Sequence, residues 1–143
     1  MQALKRPMPV GIEDFKDLVT GNYYFIDKTR FIKELIDTQG KVTLITRPRR
    51  FGKTLSLSML QYFFTLEKAE ENRRLFAGLE IERAGERYMQ EQGSRPVVFL
   101  TLKEVRAMTF AGLKVGLAEF LRRLYGEHDY LEQSAALSED DRQ

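Results

Sequence analysis

The sequence predicts an α/β fold with a parallel sheet, and three observations carry this prediction. Two apolar runs, 42–46 and 97–102, have the composition of β-strands, and the second is apolar enough to be buried on both faces. Helical patterns lie before, between and after these runs. The first run leads into a basic loop that ends in Gly52-Lys53-Thr54, and a helical pattern follows at once. Strands that are joined through helices form parallel sheets with right-handed crossovers.

Two helices are predicted before the first strand. The first covers residues 12–19, because its apolar residues share one helical face. The second carries apolar residues over 31–36 and ends at Gly40. Asp27 follows the short apolar run 23–26 and is predicted to cap the N-terminus of this second helix.

Four helical segments are predicted after the loop. Apolar residues recur at helical spacing over 57–64, directly behind the Gly-Lys-Thr triplet. The stretches 70–76 and 81–90 are rich in charged residues and are predicted to form exposed helices. A last amphipathic helix is predicted over 110–124.

The composition is that of a single globular domain. The chain has 143 residues, of which 43% are hydrophobic and 31% are charged, and its net charge of +2 gives no argument by itself for nucleic-acid binding. The absence of cysteine excludes disulfides and thiolate metal sites. The N-terminus is too short and polar for a signal peptide, and no apolar run is long enough to span a membrane. A cytoplasmic location is predicted.

The loop is the most informative segment for function. A phosphate-binding loop reads Gly, four free positions, Gly, Lys, and then Ser or Thr. Gly52, Lys53 and Thr54 match its end, whereas Arg47 stands at the first glycine position. The predicted strand before the loop and the predicted helix behind it supply the context that this motif requires. Nucleotide binding is therefore predicted.

Each residue type has a physical role in this prediction. Gly52 lets the backbone approach phosphate, and Lys53 supplies a positive charge for the β- and γ-phosphates. The Thr54 hydroxyl is placed to bind Mg²⁺, a cation that prefers oxygen ligands. The predicted nucleotide-binding residues are Arg49, Arg50, Phe51, Gly52, Lys53, Thr54 and Leu55, and Thr54 is also the predicted metal ligand.

The arginines of the loop have two interpretations. Arg47, Arg49 and Arg50 add three positive charges within four positions. They form either a solvated basic edge or a site in which at least one guanidinium grips phosphate oxygens.

No catalytic residue is assigned. Hydrolysis in this class needs an acidic residue at the end of another buried strand, which orients water and holds Mg²⁺. No apolar run downstream of the loop ends in Asp or Glu. Glu104 lies nearest to such a position, but a polar residue after a strand end is the simpler interpretation. Asp27 lies upstream of the loop, where helix capping explains it.

Four segments carry a family resemblance through their order and spacing. They are 9–15, 24–29, 44–55 and 96–100, and the third contains the most specific stretch, Arg-Pro-Arg-Arg-Phe-Gly-Lys-Thr. Together they resemble the AAA-ATPase-like family of bacterial proteins. In that family arginine is usual at the position of Arg47. Its members typically join an N-terminal P-loop ATPase-type domain to a C-terminal PD-(D/E)XK nuclease-like domain.

The resemblance implies a P-loop NTPase-like three-layer fold with a parallel sheet, truncated before the acidic Walker B strand. That strand is expected shortly after residue 143. The implied organisation is a lead-in near the nucleotide base over 1–40, a partial core over 41–137, and a polar tail over 138–143. The resemblance also places the 24–36 segment beside the base, with Asp27, Lys28 and Thr29 near the loop.

The predicted function is that of an ATP-binding module of an AAA-type ATPase, with Mg²⁺, and with hydrolysis only in the complete protein. Its predicted partners are a nucleotide and, in a full-length protein, a nuclease-like domain. The aromatic residues 23–25 either stack on adenine or belong to the core. The alternative function is a non-enzymatic interaction module whose basic loop binds nucleic acid or a partner protein. A nuclease activity of the chain itself has no support, because no Asp…Glu-x-Lys pattern lies on a strand pair.

Overall fold

The computed structural model describes residues 6–48, 50–103 and 105–131. The chain divides into two compact units, Met1–Val97 and Val98–Gln143. The helices are α1 (Phe15–Thr20), α2 (Arg30–Thr38), α3 (Lys53–Phe64), α4 (Ala69–Arg73), α5 (Glu80–Arg83), α6 (Glu86–Met89) and α7 (Phe110–Glu127), with 3₁₀ turns at Arg74–Phe76 and Asp129–Leu131.

The predicted parallel sheet is wrong. The described residues form no β-strand, and their only β-type pairing is an isolated parallel bridge between Thr65 and Arg95. The run 42–46 has no regular secondary structure, and Val42 is 88% exposed. In the run 97–102, Leu102 is 65% exposed. A β-strand needs a neighbouring strand for its backbone hydrogen bonds, and β-type composition alone does not supply one. The described part of the chain is therefore helical and has no three-layer P-loop NTPase-like fold.

The helices predicted on either side of the loop are confirmed, with shifted ends. The first helix begins at Phe15 because the Asp14 carboxylate accepts a hydrogen bond from the Asp17 N–H and caps it. The second ends at Thr38, and Gln39 behind it has a left-handed backbone with φ of 49°. The third begins directly behind the glycine of the loop.

The predicted cap at Asp27 belongs to a different helix. The N-cap residue of α2 is Thr29. One carboxylate oxygen of Asp27 accepts hydrogen bonds from the Thr29 N–H and hydroxyl at 2.8 and 2.7 Å, and the other accepts from the Glu80 N–H at 2.8 Å. The buried Thr29 hydroxyl oxygen accepts from the Ile81 N–H at 3.0 Å. Asp27 and Thr29 therefore cap α5, which lies about fifty positions downstream.

The core of the first unit joins α1, α2 and α3 to the segment 75–89. Its buried apolar residues are Phe15, Leu18, Ile32, Met59, Phe63, Leu75, Phe76, Ile81, Tyr88 and Met89. Five of these lie in the stretches 70–76 and 81–90, so the prediction that both stretches are exposed is wrong. The short helices there expose their charged residues and bury the apolar residues between them.

Asp14, Ser58 and Tyr62 form a polar cluster that connects α1 to α3. One carboxylate oxygen of Asp14 accepts hydrogen bonds from the Tyr62 hydroxyl at 2.9 Å and the Ser58 hydroxyl at 3.2 Å. The Ser58 oxygen in turn accepts from the Phe15 N–H at 3.0 Å. Burial, and then the hydrogen bond to Asp14, raises the pKa of Tyr62 to about 12. The phenol therefore keeps its proton for this hydrogen bond at neutral pH.

We expect Asp14→Ala to lower the free energy of unfolding by about 2 kcal/mol, because it removes the cap of α1 and the acceptor of two hydroxyl groups. Urea denaturation followed by circular dichroism measures this loss. Asp17→Ala is the matched control, since the Asp17 carboxylate accepts no hydrogen bond from the described residues. Equal losses in the two variants would contradict the role of the cluster.

The described elements of the second unit are α7 and the last 3₁₀ turn. The Thr109 hydroxyl accepts from the Gly112 N–H at 3.1 Å and caps α7. Phe120 is the buried residue of this helix. In the described ranges no helix is long and apolar enough to cross a bilayer. The cytoplasmic location and the three-part domain division stay predictions, and the predicted tail 138–143 lies outside the described residues.

Candidate functional site

The basic loop turns sharply before α3. Arg50 and Gly52 both have left-handed backbones, with φ of 66° and 74°. This conformation costs a residue other than glycine about 1 kcal/mol, and such strain is concentrated at functional sites. The residue before α3 is Gly52, and no side chain caps the helix. The first N–H groups of a helix have no acceptor within it, so this helix end attracts anions.

The ammonium group of Lys53 points back at the loop. Its Nζ atom donates to the backbone carbonyl of Arg47 at 2.5 Å and to that of Pro48 at 2.9 Å. Both acceptors are neutral, and a charged phosphate oxygen is a stronger acceptor for an ammonium group. The geometry therefore allows a phosphate to displace these carbonyls.

Thr54 lies in the first turn of α3 and is half-buried. Its hydroxyl makes no hydrogen bond with the described residues. Nor do three His, Asp or Glu side chains in the described segments come together to hold a metal ion. Mg²⁺ at a nucleotide takes one or two protein oxygens together with phosphates and water. Thr54 therefore fits the part of a single protein ligand to a nucleotide-bound Mg²⁺.

Two cavities meet at Lys28 and Ser56, which line both of them. The apolar cavity has a volume of about 250 Å³ and is lined by Met8, Pro9, Phe15, Leu18, Tyr24, Phe25, Ile26, Lys28, Gly52, Leu55, Ser56 and Met59. The polar cavity has a volume of about 340 Å³ and is lined by Lys28, Phe31, Glu34, Ile45, Arg47, Phe51, Lys53 and Ser56. An apolar space thus adjoins a charged one at the loop.

Four of the predicted site residues line these cavities, and Thr54 lines neither of them. Gly52 and Leu55 line the apolar cavity, and Phe51 and Lys53 line the polar cavity. Arg50 is exposed and lines neither of them. Arg49 and Glu104 lie outside the described residues.

The aromatic residues 23–25 are also divided. Tyr24 and Phe25 line the apolar cavity. Tyr23 and Phe25 both pack against the core of the first unit as partly buried residues, and the Phe25 ring meets Phe15 edge to face with centroids 6.3 Å apart. The core interpretation therefore fits Tyr23 and Phe25, although Phe25 also lines the cavity, while the exposed Tyr24 ring lies where a flat ligand can contact it.

The resemblance places Lys28 near the loop but gives it no role. Its Nζ atom lies 3.7 Å from the point where a Cβ atom at Gly52 would stand. This ammonium group has no hydrogen bond or ion pair with the described residues. The resemblance of the segment 24–29 is the signal that placed it there, since no spacing in the sequence links this segment to the loop.

Comparisons with known proteins bear on this site. A protein of Azotobacter chroococcum mcd 1, described as "Uncharacterized protein in vnfD 5'region", is 40% identical over 78 residues. The match covers 54% of this chain and 14% of that protein, so the chain spans a small part of its relative's length. No solved structure matches the chain. A family model described as "Predicted AAA-ATPase" matches residues 9–142. Because this match covers nearly the whole chain, the chain belongs to the AAA-ATPase-like family.

Proposed function

We propose that this chain binds Mg-ATP, with the phosphates on the basic loop and the adenine in the apolar cavity. One observation carries the proposal. Gly52 precedes the uncapped N-terminus of α3 and also lines the apolar cavity. A ligand with an anionic end and a flat apolar end fits such a site. Membership of the AAA-ATPase-like family supports the use of a nucleotide.

The residues then have distinct roles. Lys53 exchanges its two carbonyl acceptors for the β- and γ-phosphates. The N–H groups at the start of α3 bind phosphate oxygens, and the Thr54 hydroxyl binds Mg²⁺. Leu55 and Phe25 contact the base, since both line the apolar cavity. The exposed guanidinium of Arg50 is available to cover the phosphates from solvent.

Hydrolysis is part of the proposal for the complete protein only. Glu34 is the one carboxylate among the described residues that lines the polar cavity, and it lies 3.8 Å from the Arg30 guanidinium. No other carboxylate of the described residues lines this cavity, so we assign no residue to orienting water. A nuclease-like domain as partner stays a prediction.

Binding of a fluorescent ATP analogue tests the proposal. We expect saturable binding that requires Mg²⁺, is competed by unlabelled ATP and changes little between low and physiological salt. The alternative, a basic loop that binds nucleic acid, predicts tight binding of a single-stranded oligonucleotide whose affinity falls steeply with salt. Oligonucleotide binding of that kind without ATP binding would replace our proposal by the alternative.

A further inference from the structure

Lys28 is a cation at the boundary between the two cavities. It lines both of them, and its ammonium group lies next to Gly52. The other lysine at the loop, Lys53, already donates to two carbonyl groups. Lys28 has no such acceptor among the described residues. Its charge is therefore available to an anion that enters between the cavities.

The backbone that carries Lys28 is held firmly. Its neighbours Asp27 and Thr29 both accept hydrogen bonds from the start of α5. Its own carbonyl accepts from the Phe31 N–H at 3.0 Å. Because these contacts fix the backbone on both sides, only the side chain of Lys28 has to be ordered when a ligand binds. Because the backbone is already ordered, binding through Lys28 has a smaller entropic cost.

We infer that Lys28 binds the α-phosphate of the nucleotide, an inference that rests on the proposed function. With the base in the apolar cavity and Lys53 at the far phosphates, the group at the boundary is the phosphate next to the ribose. Lys28 and Lys53 thus divide the triphosphate between them. Lys28 contacts the α-phosphate, which ATP, ADP and AMP all carry. Lys53 contacts the phosphates beyond it, which AMP lacks.

Competition against a fluorescent ATP analogue tests this division with ATP, ADP, AMP and adenosine. We expect Lys28→Gln to weaken ATP, ADP and AMP alike by about tenfold, the effect of one charge-assisted hydrogen bond, and to leave adenosine unchanged. Lys53→Ala should weaken ATP and ADP but not AMP. Lys28→Arg should retain most of the affinity for AMP, because it keeps the charge. Lys41→Gln removes an exposed charge elsewhere and serves as the control.

The outcomes separate this inference from the proposed function. If Lys28→Gln binds AMP as well as the wild type does, while Lys53→Ala loses ATP, the inference on Lys28 is wrong and the proposed function stands. An equal loss of adenosine and AMP in Lys28→Gln also overturns the inference, since it indicates a change in the apolar cavity. If the wild-type chain binds no ATP, both the proposed function and the inference fail. Thermal unfolding of each variant confirms that it is folded.

Discussion

Lys53→Ala is expected to weaken the binding of Mg-ATP by about 100-fold, because the proposed function gives its ammonium group charge-assisted contacts to two phosphates that an alanine cannot replace. The wild-type Nζ atom is bonded to two carbonyl oxygens of the loop. The Lys53 side chain lines the polar cavity in this conformation. Isothermal titration calorimetry at fixed Mg²⁺ concentration measures the change in affinity.

The control for this variant is Lys41→Ala, which removes one exposed positive charge just upstream of the loop. It should bind Mg-ATP as the wild type does. Lys53→Ala also removes two hydrogen bonds within the loop, but these are exposed, so its unfolding free energy should change by less than about 1 kcal/mol. Equal affinities of Lys53→Ala and the wild type would refute the proposed role of the loop.

Phe76→Ala is expected to lower the free energy of unfolding of the first unit by about 4 kcal/mol, through lost burial and the cavity that remains. The ring is 0% exposed. It stacks on Phe15 with centroids 5.2 Å apart and meets Phe63 edge to face at 5.1 Å. Two aromatic rings from separate helices thus pack against this one side chain. Urea denaturation followed by circular dichroism measures the loss.

Phe110→Ala is the matched control for Phe76→Ala. This phenylalanine is 71% exposed at the start of α7. Its removal should change the stability by less than about 0.5 kcal/mol, as is usual for exposed positions. If both variants lose the same amount, Phe76 is not the centre of the core that the structure describes.

The helices near the loop could be predicted from the sequence because their signals are local. Apolar residues at helical spacing predict α3, and the glycine of the loop marks its start. The predicted sheet was wrong because strand pairing depends on residues far apart in the chain. The run 42–46 has β-type residues, yet Leu44 is 82% exposed and the described residues provide no partner strand. Composition indicates a preference for extended backbone but does not create a neighbour.

The segments with many charges were misjudged for a related reason. Charge density over 70–76 predicts exposure on average, but it does not tell which residues between the charges face inward. Phe76 is buried because the 3₁₀ turn places its ring against Phe15 and Phe63, and Leu75 beside it belongs to the same core. Burial was decided by packing between segments and not by the mean polarity of one segment.

The sequence by itself determined the family of this protein and predicted an anion-binding loop. The predicted loop rests on Gly52, Lys53 and Thr54 with the basic residues before them, and the family rests on their wider context. Only the tertiary structure decided which groups are available there. In the folded chain the Lys53 ammonium group donates to a carbonyl of the loop, and the Asp27 carboxylate caps α5. The Lys28 ammonium group lies beside Gly52 and has no partner among the described residues. The type of a residue determines which interactions its side chain can make. Its actual partners depend on distances between segments far apart in the chain, and no local sequence pattern contains these distances.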